Sequence, residues 1–196
     1  MTKLHIPVLA SSSIYRRQLL SRIYPHFEVA NPDIDESRHH HESAENMVER
    51  LSLEKAQAVV QRFPASLIIG SDQVAVLGQQ IFGKPGDHAT ACTQLQQLSG
   101  RKAVFHTGLC LLNAATGKYQ ITRIPCEVRF KHLNPTQIER YLQQDKPYHC
   151  AGSFQSESLG IVLVDSIRCD DPTALMGLPL IALVAMLHQE GVDPLL

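Results

Sequence analysis

Leu67 to Val76, read as LIIGSDQVAV, is an apolar run broken at its middle by Ser71, Asp72 and Gln73. A strand there puts a carboxylate where a sheet usually holds Val or Ile. Burying an unpaired carboxylate costs several kcal/mol. The run therefore predicts Asp72 at a strand end, facing a cleft where a cation or polar partner meets it. The plainer reading is an Asp that caps the loop after a short strand.

Candidate cations flank this carboxylate in the chain. Lys55 falls inside the stripe formed by Met47, Val48, Leu51, Ala58 and Val59 when the segment is wound at 100° per residue. A lysine there either snorkels past the core or directs its ammonium into a cleft. Lys84 stands between Gly83 and Pro85, on a tight loop that fixes a charge in space or forms a solvated hairpin tip. Ser11, Ser12 and Ser13 precede Tyr15, Arg16 and Arg17, so hydroxyls, backbone N–H groups and a guanidinium could seat an anion. An ordinary capped helix with a solvated Arg pair accounts for the same residues, and no GxxxxGK[ST] phosphate loop is present.

These groups need a scaffold, and the patterning supplies one. Strands are expected at Ile6 to Ala10, Phe27 to Ala30 and Leu67 to Val76, then at Ala103 to Leu112, Tyr119 to Ile124, Glu127 to Leu133 and Ile161 to Val164. Helices are expected after Ser13, from the Ser43 cap to about Arg62, from the Asp87 cap to Leu98, from Asn134 and Pro135 to about Asp145, and after Pro179 through Leu187. The last is apolar on nearly all sides, which predicts burial or an oligomer contact. Hairpins beside strand-helix units indicate an α/β fold with a mixed sheet rather than a purely parallel one. The loop CAGSFQSESLG at Cys150 to Gly160 is small and polar, as suits a ligand-side loop. His39, His40 and His41 read as loop residues, and Asp170 and Asp171 as a turn.

Composition bounds the function. A chain of 196 residues without a linker-like tract predicts one domain, of one or two lobes. A net charge of -1 offers no long-range field for nucleic acid or a membrane surface. No apolar run reaches the roughly 20 residues of a membrane span, and the N-terminus lacks the pattern of a signal peptide, so a cytoplasmic location is expected. The five cysteines include no CxxC pair and are expected to be reduced and mostly buried.

Six stretches together resemble the Maf family of nucleotide pyrophosphatases: LASSSIYRRQLL, ESAENMVERLSLEKA, GSDQV, GKP, AGSFQSE and GLPL, in the family's order and spread over nearly the whole chain. The resemblance implies a single domain over residues 1–196, similar to the inosine triphosphate pyrophosphatases, with a mixed sheet in two lobes, a central nucleotide cleft and commonly a homodimer. It implies hydrolysis of a nucleoside triphosphate between its α and β phosphates, aided by a divalent cation, Mg²⁺ or Mn²⁺. It makes Asp72 the acceptor of a proton from water, places Ser11, Arg16, Lys55 and Lys84 around the triphosphate, and makes Glu36, with Asp72, a metal ligand. Fixed cations and a carboxylate suit a substrate with three to four negative charges.

Tyr15, Gln73 and Glu157 stand where the branch acting on dTTP and UTP has an arginine, a threonine and a glutamine. The pattern resembles the branch that prefers 7-methyl-GTP, although that branch usually has Trp at the position of Tyr15. N7-methylated guanine is cationic, so an aromatic face can contribute about 0.5 to 2 kcal/mol of cation–π attraction. A carboxylate such as Glu157 can accept from N1–H and N2–H, and Gln73 offers an amide. The expected activity is hydrolysis of 7-methyl-GTP, which would clear modified nucleotides. The alternatives are a pyrimidine triphosphate pyrophosphatase, or a nucleotide-binding regulator of cell division without turnover.

Overall fold

The computed structural model describes residues 6–196; the N-terminal residues read above for a leader lie largely outside that range. Among the described residues the strands form one mixed sheet in the order β2-β1-β3-β5-β6-β7, with β4 paired to β3. The strands are β1 (Val8–Ala10), β2 (Glu28–Ala30), β3 (Leu67–Leu77), β4 (Gln80–Phe82), β5 (Lys102–Asn113), β6 (Tyr119–Phe130) and β7 (Val164–Cys169). The α-helices are α1 (Ile14–Leu20), α2 (Ala44–Gln57), α3 (His88–Leu98), α4 (Pro135–Asp145) and α5 (Leu180–Gln189). The expected mixed α/β class is what the chain adopts.

Two compact units divide the chain. The first comprises the segment up to Asp72 together with Thr107–Ile124 and Asp171–Leu196, and the second comprises Gln73–His106 and Pro125–Asp170. In the first unit β1 runs parallel to both β2 and β3, with Val8 opposite Glu28 and Ile68. Alternate residues of its strands serve opposite faces. Leu9, Leu67, Ile69, Leu109 and Leu111 pack with Leu19 and Leu20 of α1 and Leu183 and Leu187 of α5. Val8, Ala10, Ile68, Cys110 and Leu112 pack with Ala56 and Val59. A sheet covered on both sides explains the continuous apolar runs of β1, of β3 up to Gly70 and of β5 from Leu109 to Leu112.

Ser43 starts α2 by accepting from the Asn46 N–H, and the helix buries Ala44, Val48, Leu51, Ser52, Lys55 and Ala56 as one stripe. Glycine lets it approach closely. A Cβ on Gly70 would land on the Ser52 carbonyl oxygen, and one on Gly108 on the Val48 carbonyl oxygen. The backbone of α2 thus lies directly on β3 and β5.

In the second unit Asp87 caps α3, while Asn134 and Gln137 form a capping box with Pro135 at the start of α4. Leu95, Leu98, Ile138 and Leu142 are buried. Phe154 packs against Phe105 and Phe130, at ring separations of 5.7 and 5.2 Å.

Four expectations need correction. Residues 119–130 form one strand rather than two, through Pro125; the pairing with β7 begins at Cys126, so no ladder bond to β7 is needed at the proline. The apolar residues Ile161 and Val162 belong to a 3-10 turn, Leu159–Leu163, and are half exposed; the strand begins at Val164. The helix after Ser43 ends at Gln57, and a separate 3-10 turn covers Val60–Arg62. Finally, Cys126 and Cys169 form a disulfide instead of remaining thiols. They face each other across the β6–β7 ladder with their Cα atoms 4.5 Å apart, a proximity set by strand register that spacing along the chain does not reveal. Among the described residues Cys92, Cys110 and Cys150 remain thiols, and burial pushes Cys110 up to about 12.

Candidate active site

Asp72 lies in the interior of β3 and not at its end, and it is 5% exposed. It is tolerated there because Lys55, 2% exposed, reaches it from α2: Nζ is 2.5 Å from Asp72 Oδ1. The same ammonium lies 2.9 Å from Glu36 Oε1. The lysine within the apolar stripe therefore does not snorkel to solvent. Its stem is packed under α2, and its head joins two carboxylates.

Glu36 comes from the exposed loop between β2 and α2, and that loop is tied to the helix. Arg50 donates from Nε to Glu42 Oε1 at 2.6 Å, from an Nη to Glu42 Oε2 at 2.8 Å, and to the Ser37 carbonyl at 3.1 Å. The guanidinium bound to it holds the Glu42 carboxyl down at about 2. Arg38 adds a 2.6 Å bond to the Glu42 carbonyl.

Arg16 of α1 is 8% exposed and is, with Lys55, a buried cation of the first unit. Its Nε donates to the Gly177 carbonyl at 2.8 Å, and an Nη reaches Ser11 Oγ at 3.5 Å. Burial pulls the guanidinium below its ordinary range, while Asp72 and Glu36 act in the opposite direction. Ser11 Oγ also accepts from the Ser13 N–H at 3.1 Å. The strand-to-helix turn is therefore organised around the Arg16 side chain.

The Gly177 carbonyl also lies 2.9 Å from Ser71 Oγ, which is 2.7 Å from the Gly108 carbonyl. Gly177 has φ 104°. Asp171 fixes the turn around it and is 2% exposed. One oxygen accepts from the Thr173 N–H and hydroxyl at 3.1 and 2.6 Å; the other accepts from the Ile181 and Ala182 N–H groups at 2.8 and 3.3 Å. Pro179, at the start of α5, supplies no side-chain cap, so Asp171 does this from eight or more residues upstream. Sequence reasoning saw in Asp171 only a turn; the signal it lacked was the uncapped, Pro-initiated helix that followed.

The remaining expected site residues lie as follows. Tyr15 precedes Arg16 on α1 and is half-buried. Gln73, Lys84 and Glu157 belong to the second unit, where Gln73 is half-buried and Lys84 and Glu157 are exposed. Within that unit Gln94 of α3 joins the two loops that carry Lys84 and Glu157. Its Nε2 donates to the Gly83 carbonyl at 3.3 Å, its Oε1 accepts from Ser153 Oγ at 2.6 Å, and the Gly152 N–H donates to the Gly83 carbonyl at 3.2 Å. In the sequence Gln94 is one of several glutamines on a helix and carries no distinguishing mark; its 8% exposure sets it apart.

Two carboxylates converging on one ammonium, with a buried guanidinium whose charge feels both, can orient water and oppose the charge of a polyphosphate. Asp72 and Glu36 are hard oxygen donors, a set that suits Mg²⁺ or Mn²⁺.

The chain is similar to known proteins over most of its length. A relative from Alcanivorax borkumensis, "7-methyl-GTP pyrophosphatase", is 54% identical over 95% of this chain and 94% of its own length. One of the same name from Pseudomonas aeruginosa is 51% identical over 95% of this chain and 97% of its own. Another, from Aromatoleum aromaticum, is 50% identical over 94% of this chain and 95% of its own. Among solved structures, the Staphylococcus aureus Ham1 protein matches with a TM-score of 0.41 and 15% identity, over 63% of this chain and 71% of that one. The profile of the family described as "Maf-like protein" matches residues 7–190, and the chain belongs to the Maf family.

Proposed function

We propose that the chain is a nucleoside triphosphate pyrophosphatase that hydrolyses 7-methyl-GTP to 7-methyl-GMP and diphosphate. The observation that carries this reading is Lys55, buried and held between Asp72 and Glu36, in a chain about half identical to relatives named for that activity. Water adds across the α–β anhydride. One proton of the water passes to Asp72 and then to solvent, the new P–O bond forms as the bridging bond breaks, and the bridging oxygen leaves with one product. Lys55 holds the Asp72 carboxylate in one orientation, and Arg16, Lys55, Lys84 and Ser11 bind the phosphates. Asp72 and Glu36 would hold a divalent cation, Mg²⁺ or Mn²⁺, which when bound supplies charge neutralisation and a more acidic water.

Tyr15, Glu157 and Gln73 are the base-reading set: an aromatic face for the cationic ring, a carboxylate for its N–H edge and an amide. The whole chain then acts as one domain, in the cytoplasm and as a homodimer, to remove a modified nucleotide from the pool. No described helix is long and apolar enough to cross a membrane.

The test is diphosphate release from 7-methyl-GTP, GTP, dTTP, UTP and CTP with Mg²⁺ or Mn²⁺. Preference for 7-methyl-GTP, weakened in Tyr15→Ala and Glu157→Ala, is the expected result. In Asp72→Asn turnover should fall by about 10² to 10⁴ while nucleotide binding persists. Preference for a pyrimidine triphosphate would overturn the base assignment. Absence of release from every nucleotide would overturn the enzymatic reading.

A further inference from the structure

A second group of chemically competent side chains lies wholly within the second unit. His88 and Cys92 are one turn apart on α3, and Glu139 stands on α4. One ligand atom of each lies within 4.8 Å of the other two. His88 Nε2 is 2.9 Å from Glu139 Oε2, and Cys92 Sγ is 3.4 Å from the same nitrogen. The other ring nitrogen, Nδ1, is 3.0 Å from the Tyr148 hydroxyl.

The spacing on α3 is what a shared ligand requires, because residues four apart lie on one helical face. Zinc holds nitrogen and carboxylate oxygen at about 2.0–2.2 Å and thiolate sulfur at about 2.3 Å, so tetrahedral ligand atoms stand about 3.3–3.6 Å apart. The nitrogen–sulfur separation already matches. The nitrogen–oxygen separation needs to open by about half an ångström, and the Glu139 side chain is 45% exposed and has room to do so. Tyr148 completes the pattern. With the imidazole proton on Nδ1 and directed at the Tyr148 oxygen, the Nε2 lone pair points into the cluster, as the outer partner of a metal-bound histidine arranges it.

We propose that His88 Nε2, Cys92 Sγ and the Glu139 carboxylate form a site for a borderline transition-metal cation of the Zn²⁺ class, with the fourth position taken by water. Binding exchanges the thiol proton, released to solvent, for the metal, and no electrons are transferred. Thiolate and imidazole select Zn²⁺ or Co²⁺ over Mg²⁺, which distinguishes this site from the all-oxygen pair Asp72 and Glu36. The cation cross-links α3 to α4, the helices whose packing supports the Gln94 junction.

The test uses the full chain, stripped with a chelator, kept reduced and titrated with Co²⁺ in excess Mg²⁺ to saturate oxygen-only sites. One tightly bound Co²⁺ per chain, with a thiolate-to-cobalt absorption band that Zn²⁺ abolishes, is expected. Cys92→Ser should remove the band and Cys150→Ser should keep it. Tyr148→Phe should weaken Zn²⁺ affinity by about 10- to 100-fold, and Glu139→Gln at least as much. Zn²⁺ should raise the melting temperature of the unaltered chain and not that of Cys92→Ser. Absence of the band, its persistence in Cys92→Ser, or unchanged affinity in Glu139→Gln, an exposed position that leaves folding intact, would each overturn the proposal.

Discussion

Lys55 Nζ and Asp72 Oδ1 meet at 2.5 Å with both side chains almost fully buried, and Glu36 is the second carboxylate on the same ammonium. A buried pair of this kind contributes little net stability, because desolvation offsets attraction, yet breaking it leaves a buried charge at a cost of about 3–5 kcal/mol. The two halves of the pair are unequal. Lys55→Met leaves the Asp72 and Glu36 carboxylates without their ion-pair partner and with only the charge of Arg16 acting on both, whereas Asp72→Asn leaves Lys55 with Glu36. Denaturant unfolding should therefore show Lys55→Met as the more destabilised by at least about 1 kcal/mol, and Lys55→Met/Asp72→Leu should recover much of the loss while remaining inactive. Equal destabilisation by the two single substitutions would remove Glu36 as a partner.

Gly70 gives a second prediction. The Ser52 carbonyl occupies the place where a Cβ would stand, so Gly70→Ala must push α2 away from β3. Overpacking of this sort costs about 1–3 kcal/mol. The displaced helix also carries Lys55, so kcat should fall in the variant by more than at a buried position of the core outside α2, such as Leu187→Met. A Gly70→Ala enzyme with full kcat would show that Lys55 tolerates movement of its helix.

Much of this was legible in the sequence because the chemistry conflicts with the local pattern. A lysine in an apolar stripe and an aspartate in an apolar run each demand a partner, and each turned out to be the other's. Asp72 was misplaced at a strand end for the same reason: with no view of Lys55, the interior of a strand looked too costly for a carboxylate. Contacts that depend on register or on remote turns left no such mark. The Cys126–Cys169 pairing, the Asp171 cap of α5 and the His88–Cys92–Glu139 group arise where separate segments meet. Pro125 and the Ile161–Val162 pair misled because proline and short apolar runs are read by local rules that pairing and exposure override.

Arg50 yields a prediction with a pH signature. Its bonds to Glu42 hold that carboxyl at about 2, against an ordinary 4.5. A depressed carboxyl stabilises the fold fully above its unfolded value and loses that contribution as pH falls through the folded one. Stability of the unaltered chain should thus decline between about pH 4.5 and 2, and Arg50→Met should be less stable at neutral pH with a flatter slope across that window. Because Arg50 also fixes the Ser37 carbonyl beside Glu36, and Glu36 is proposed to hold the divalent cation, the variant should need more of that cation for half-maximal activity while kcat at saturating cation changes little. An unchanged acid slope would place the Glu42 stabilisation elsewhere.

Asp171 supports the site through the turn that holds the Gly177 carbonyl against Arg16. Its carboxylate accepts from the N–H groups of Thr173, Ile181 and Ala182, and the Thr173 hydroxyl passes the arrangement on by accepting from the Leu180 N–H at 2.8 Å. The turn so held contains Gly177, whose carbonyl fixes Arg16 Nε, and Ala174, whose carbonyl accepts from Thr107 Oγ1 at 2.8 Å. Asp171→Ala removes the acceptor of three part-buried N–H groups and of the Thr173 hydroxyl and should destabilise the chain by about 1–3 kcal/mol. Asp171→Asn keeps one carbonyl oxygen and should lose less. Measured well below the melting temperature, Asp171→Ala should also raise KM for the triphosphate more than it lowers kcat, because Arg16 loses its fixed position while Asp72 and Lys55, on β3 and α2, keep theirs. A variant that is destabilised but has an unchanged KM would confine Asp171 to holding α5 and would detach the Gly177 turn from phosphate binding.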